Sequence, residues 1–252
     1  MRKVTAEQAL SEWSKFIGFI DTYISSPRKE KLLNFYNDRQ ERFITMPASA
    51  VEYYHGAFPT GYLIHVNRVT QGCLDLMEVW SHHGSGLDCT KEEAVFSCIS
   101  HDLGKYGTDA QPYYIPNESE WHRKNQGKVY EYNGDVSKMT VPDRSILLLT
   151  ENGITFNETE FLAIKTHDGL YDEANKYYLL QTYHWKQKPK SSLIYIIHQA
   201  DIMAARIEFE EWRDNYRDDA HATKSYAKKG LSTRTEKLSP AATQALDELF
   251  KS

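Results

Sequence analysis

Phe96-Ser97-Cys98-Ile99-Ser100-His101-Asp102-Leu103-Gly104-Lys105 is the stretch around which the chain organises itself. An apolar run leads into adjacent His and Asp, and Gly and Lys follow at once. The pair offers one nitrogen and one oxygen donor from neighbouring backbone positions, a set that first-row divalent metals accept readily. An ionised Asp beside a buried apolar segment is costly unless a cation compensates it. Lys105 supplies one positive charge just past the pair, where Gly104 lets the chain turn out of a helix. On its own the dipeptide is better read as a helix end closed by a hydrogen-bonded pair, so the metal reading depends on further donors.

Working outward, Thr90 with Glu93 makes a capping box for the helix that ends at His101-Asp102. Upstream, a helix from Tyr62 to about Trp80 carries a broad apolar face of Leu63, Val66, Val69, Cys73, Leu76 and Met77, with His65 set between Ile64 and Val66. Before it, residues 5 to 25 read as a helix capped by Thr5 and Gln8, with Leu10, Trp13, Ile17, Ile20 and Ile24 inward. Ser26-Pro27 breaks that pattern. A second helix is expected from Lys29 to Ile44, with Leu32, Phe35, Tyr36 and Phe43 inward. Downstream, Tyr113-Tyr114-Ile115 and Val129-Tyr130-Glu131-Tyr132 can pair as a hairpin around a long polar loop. Helices follow near 143–149, 158–166 and 191–212. Residues 214 to 239 read as a polar extended segment, and Pro240 opens a last amphipathic helix. The expected fold is mostly α, divided into an N-terminal helical cover (1–57), a core (58–212) and a polar segment with a C-terminal helix (213–252).

Composition limits the function. The 252 residues carry a net charge of -5, which argues against broad binding to nucleic acid. Cys73, Cys89 and Cys98 fit no cysteine-rich zinc motif, and their sparse odd count suits a reducing cytoplasm. Neither a signal peptide nor a membrane span is expected. The amphipathic last helix could dock on a second copy of the chain, which leaves a homo-oligomer open.

The second decisive stretch is Leu193-Ile194-Tyr195-Ile196-Ile197-His198-Gln199-Ala200-Asp201-Ile202-Met203-Ala204-Ala205, apolar on nearly every face. Asp201 sits in its middle and the nearest cationic side chain, Arg206, is five residues on. A metal is the economical partner for that carboxylate. His198, one turn before Asp201, fits a residue that orients a ligand as well as a ligand itself; the alternative is a buried His–Asp hydrogen bond.

Taken in order, His65, His101-Asp102 and Asp201 resemble the pattern of the HD-domain metal-dependent phosphohydrolase superfamily, including the His-Asp-x-Gly-Lys form of its core motif and the Ala-Asp of its last core helix. The resemblance covers roughly residues 58 to 212. It implies an HD-domain helical bundle, here with a small β-hairpin insertion and helical extensions at both ends, whose ligands converge on one metal site. Superfamily members with two metals carry extra histidines between the His-Asp pair and the last Asp. His122, in Glu120-Trp121-His122-Arg123, and His167, in Thr166-His167-Asp168-Gly169, occupy the corresponding stretches. The implied ligands are therefore His65, His101, Asp102, His122, His167 and Asp201, with Asp102 bridging if two ions bind. Asp168 stands where some members have a second histidine. His55, His82, His83, His184 and His221 lie in expected loops and read as solvated.

Such a site suits hydrolysis of a phosphate ester, because a divalent ion (manganese, iron, cobalt, nickel or zinc; one or two of them) acidifies water and polarises a phosphoryl oxygen. Lys105 can neutralise developing phosphate charge. Arg68 and Arg123 are candidate phosphate contacts, with plain surface charge as the alternative. Asp168 can donate a proton to the leaving oxygen or orient His167. Tyr113, Tyr114 and Trp121 could stack a base or simply pack a hairpin. The leading expectation is a small phosphorylated substrate, a nucleotide or deoxynucleotide. The alternatives are a two-metal phosphodiesterase on cyclic nucleotides or oligonucleotide ends, a di-iron oxygenase of the same fold needing all six ligands, and a ligand sensor without catalysis.

Overall fold

The computed structural model describes residues 2–180 and 183–215, and these form one compact unit. Ten α-helices are joined by short 3₁₀ turns and a single two-stranded sheet among the described residues: α1 (Ala6–Tyr23), α2 (Arg28–Asn37), α3 (Gln40–Thr45), α4 (Gly61–His82), α5 (Lys91–Ser100), α6 (Glu120–Gln126), α7 (Val141–Glu151), α8 (Glu158–Thr166), α9 (Lys176–Leu179) and α10 (Leu193–Asn215). β1 (Tyr114–Pro116) pairs antiparallel with β2 (Tyr130–Tyr132), Tyr114 opposite Tyr132. The chain is thus mostly α, as its periodicities imply. The expected polar tail and last amphipathic helix lie largely outside the described residues.

Local chemistry starts the helices where the sequence places them. Thr5 and Gln8 close a capping box on α1, and Thr90 and Glu93 close one on α5. Asn157 and Glu160 do the same for α8. α10 begins differently: Asp88, over a hundred residues upstream, accepts from the Ser192 backbone N–H at 2.8 Å and from its hydroxyl at 2.7 Å. That carboxylate does the work of an N-cap from outside the helix.

Three expectations change. The helix over 29–44 is two helices, separated at Asp38-Arg39, although Leu32, Phe35, Tyr36 and Phe43 all point inward as expected. Arg39 there forms a paired contact with Asp109, which no local pattern announces. The polar loop between the strands holds α6, capped by Ser119, whose hydroxyl accepts from the His122 N–H. Leu10 of α1 is exposed, and Phe16 and Phe19 are buried instead.

The first 57 residues, expected as a cover, contribute to the same core as the rest. Phe16, Tyr36, Phe43 and Tyr106 form a run of close ring contacts that continues to Tyr62 on α4. The Tyr36 hydroxyl donates to the Ile99 carbonyl at 3.0 Å, two residues before His101. α4 and α10 approach closely because Gly72 has no Cβ; one there would lie 2.6 Å from Met203 Cε. That contact brings together the two helices that carry His65 and Asp201. Among the described residues no helix is long and apolar enough to cross a membrane.

Candidate metal centre

α5 and α8 end alike. His101 is the C-cap of α5 and His167 the C-cap of α8. Each ring turns back on its own helix: His101 Nδ1 lies 2.6 Å from the Cys98 carbonyl oxygen, and His167 Nδ1 lies 2.8 Å from that of Ile164. A carbonyl oxygen only accepts, so both Nδ1 atoms carry the hydrogen and Nε2 is the nitrogen left to bind something else. His65, buried on α4, is held the same way by a carboxylate, with Nδ1 3.1 Å from Glu208 Oε2.

The three Nε2 atoms converge on two carboxylates. His65 Nε2 is 3.1 Å from Asp201 Oδ1 and 3.7 Å from Asp102 Oδ2. His101 Nε2 is 3.5 Å from Asp102 Oδ2 and 4.0 Å from Asp201 Oδ1, and His167 Nε2 is 3.8 Å from Asp102 Oδ1. Four overlapping groups have donor atoms within 4.8 Å of one another: His65 with His101 and Asp201; His101 with Asp102 and His167; His55 with His65 and Asp102; and His167 with Asp168 and Asp201. The buried Nε2 atoms of His65 and His101 have no hydrogen-bond partner. Two imidazole nitrogens left unpaired beside the buried Asp102 and the half-buried Asp201 are what a divalent cation would satisfy, and the mixed N/O set suits a first-row metal.

The electrostatics agree. Burial works against ionising Asp102, but Lys105 and His101 outweigh it and hold the carboxyl well below its usual range. Lys105 Nζ sits 2.6 Å from Asp102 Oδ2. Burial also opposes ionisation of Asp201, and contact with His65 overcomes it. The His65 imidazole is pulled down by burial, yet Glu208 and Asp201 raise it to about 10. The cluster thus demands positive charge, which a proton meets here and a metal ion would meet by displacing that proton.

The turn after His101 is clamped from α7. Gly104 N–H donates to Ser145 Oγ at 2.8 Å, and Ser145 Oγ reaches the His101 carbonyl at 3.1 Å. A Cβ on Gly104 would lie 2.2 Å from the Val141 carbonyl oxygen, so this glycine serves close approach to α7 rather than a left-handed turn. After His167, Gly169 does adopt positive φ (56°), and a Cβ there would collide with the His198 ring. His198 Nδ1 lies 2.7 Å from the His167 carbonyl oxygen, so it positions a ligand-bearing turn and belongs to none of the donor groups.

Of the expected site residues, His65, His101, Asp102, His167 and Asp201 come together, with Asp168 at the exposed edge, 3.6 Å from His167 Nε2. His122 is brought to none of the groups: α6 holds it on the wall of a neighbouring cleft. Arg68, expected at a phosphate, is paired with Glu208 at 3.2 Å and Glu211 at 2.6 Å, which already neutralise its guanidinium. Arg123 is exposed and donates to the Asn117 carbonyl. Two residues were not anticipated. His55, read as a solvated loop residue, is half-buried with its ring 4.6 Å from that of His65. Glu208 lies two turns after Asp201 on α10, a spacing of seven that keeps both on one face and could have signalled it.

Comparison with protein-family models, curated proteins and solved structures gives no match to this chain. Its functional reading therefore rests on this geometry and on the sequence pattern.

Proposed function

We propose that this chain is a metal-dependent phosphohydrolase of the HD type that acts on a nucleotide or deoxynucleotide. One observation carries the reading: three imidazole Nε2 atoms, each with its Nδ1 tied to an acceptor, face the buried Asp102 and the half-buried Asp201. Glu208 behind His65 forms the carboxylate–histidine arrangement that fixes tautomer and ring orientation at metal sites. The site would hold a divalent ion through His65, His101, Asp102 and Asp201, with His167 adjoining, and such an ion would supply acidified water and a polarised phosphoryl oxygen.

The remaining roles fall to this chain's own residues. Lys105, only slightly exposed and beside Asp102, places a fixed positive charge where a phosphoryl oxygen gains negative charge. Asp168, exposed at the edge of the donors, can hold the proton delivered to the leaving oxygen. Helices α4, α5, α8 and α10 pack around the donors and limit the access of water.

A second reading, a two-metal phosphodiesterase, draws on Asp102 presenting Oδ2 toward His65 and His101 and Oδ1 toward His167. The oxygenase alternative loses support, because it needs six ligands and His122 stands apart. The test pairs metal content of chain purified without chelator with phosphate release from mononucleotides, triphosphates and diesters. About one metal with release from nucleotides supports the first reading, and about two with activity on diesters alone supports the second. No retained metal and no hydrolysis of any of them would refute both.

A further inference from the structure

A cleft of about 430 Å³ opens beside the metal centre, between the 48–55 loop and the β1–β2 hairpin. Two residues belong to both. Lys105 lines the cleft while bonded to Asp102, and His55 lines it while its ring lies against His65. Anything held in the cleft therefore lies next to the donors.

Its walls are aromatic. Tyr114 and Tyr132 sit directly opposite each other in the hairpin with ring centroids 5.5 Å apart, and Tyr130 and Tyr54 complete the lining. Tyr132 is 65% exposed and Tyr54 55%, so the opening carries solvated aromatic surface. Polar groups are interleaved: His122, Asn117, Glu131 and Lys128. The volume lies within the range of small-molecule sites, and apolar walls with a few polar groups are their usual construction.

Both walls are fixed in place. Tyr130 N–H donates to the Ala50 carbonyl at 3.0 Å, Glu52 N–H to that of Gly127 at 2.9 Å, and Val51 bridges Lys128. The loop is stitched to the hairpin by backbone hydrogen bonds, so the cleft is formed before any ligand arrives, which reduces the ordering cost of binding.

We propose that this cleft is the subsite for the nucleoside part of the substrate: the base lies against the tyrosine wall, and the phosphate points past His55 and Lys105 to the metal centre. This rests on the phosphohydrolase reading for the direction of the phosphate, but not for recognition of the ring. A base offers a flat apolar face and a polar edge, matching tyrosine rings flanked by Asn117, His122 and Glu131. His122, which stands apart from the donors, thereby acquires a role in specificity. A second nucleotide of an oligonucleotide has no counterpart wall among the lining residues, so the fitting class is a nucleoside carrying its phosphate at one end.

The test uses chelator-treated full-length chain titrated calorimetrically with adenosine, guanosine, cytidine and uridine, with ribose 5-phosphate as the base-free control. At least one nucleoside should bind, and Tyr132→Ala should weaken it about tenfold, the scale of one lost base–aromatic stack. Because Tyr132 is largely exposed, that variant should keep the wild-type circular dichroism and metal content. His122→Ala should change the preference among the four nucleosides. Failure of all four to bind, or a Tyr132→Ala variant that binds as wild type does, would overturn the proposal. Nucleoside binding without phosphate release from any nucleotide would keep the cleft assignment and refute the reaction. Release from ribose 5-phosphate and nucleotides alike, with no nucleoside bound, would keep the reaction and refute the cleft.

Discussion

Replacing Glu208 with alanine isolates the contribution of a residue that does not itself face the candidate metal centre. Its carboxylate is buried, with Oε2 3.1 Å from His65 Nδ1 and Oε1 3.2 Å from Arg68 Nη1. In Glu208→Ala the His65 Nδ1–H is left in a fully buried ring with no acceptor, and the ring loses the contact that fixes its angle. Loss of such a partner typically weakens metal binding 10–100-fold, or about 1.4–2.7 kcal/mol. Metal-free stability also falls. The lost hydrogen bond between His65 and the Glu208 carboxylate is worth about 1.5–3 kcal/mol and the ion pair with Arg68 goes with it, offset by ending the burial of a carboxylate and by the partner Arg68 retains in Glu211. A net loss of about 1–3 kcal/mol in urea unfolding is expected. Metal affinity is read by competition with a chelating indicator. Glu211→Ala is the control: it strips Arg68 of its outer partner without touching His65 and should leave metal affinity unchanged. A folded Glu208→Ala variant within about threefold of wild-type metal affinity would refute the orienting role, as would an equal loss in Glu211→Ala.

Asp102→Ala should abolish metal retention and turnover together, while Lys105→Ala should retain the metal and lose about 10²–10³ in phosphate release, the scale of one lost charge-stabilising donor; both are read by metal analysis and released phosphate. His122→Ala should leave metal content per chain unchanged, since α6 holds that ring away from the donors. Gly104→Ala should destabilise the chain by about 2 kcal/mol or more, because its Cβ meets the rigid Val141 carbonyl, whereas Gly72→Ala meets only the flexible end of Met203 and should cost about 1 kcal/mol or less in thermal melts. The chelated protein should lose stability as pH rises from about 6.5 to about 10: the folded His65 titrates at about 10 against an ordinary 6.5, so its contribution is complete below the lower value and gone above the higher. In Glu208→Ala that slope should flatten.

The parts of this molecule legible from the sequence are those whose physics is local or whose chemistry is out of place. Capping boxes at Thr5 and Thr90 are four-residue signals. His101-Asp102 and Asp201 stand out because ionisable groups sit in apolar runs and require compensation. The break at Asp38-Arg39 was hidden because apolar spacing continues across it, while the Arg39–Asp109 pair found there spans seventy residues. α6 was hidden for the opposite reason: with no buried residue it has no apolar stripe to read, only the Ser119 cap. His55 sits among Gly56, Phe58 and Pro59, where a solvated loop is the natural reading. Backbone bonds, Ala48 N–H to the Gly56 carbonyl at 2.8 Å and residues 50–52 to the hairpin, hold it beside α4.

The placement of the donors at helix ends also says what kind of ion the centre favours. His101 and His167 close α5 and α8 at their C-termini, the ends where the aligned peptide dipoles leave partial negative charge. The carbonyls of Cys98 and Ile164, in those last turns, are engaged by the two rings rather than by water. Two helix C-termini, Asp102 and Asp201 thus surround one small volume, with Lys105 bonded directly to Asp102. Such a field favours a cation over an anion at that point. On the proposed function, a phosphate ester would be held here by a cation seated among the donors and by a second handle elsewhere on the substrate. The tyrosine cleft is placed to grip that second handle, so inorganic phosphate should show no measurable binding to the chelated chain.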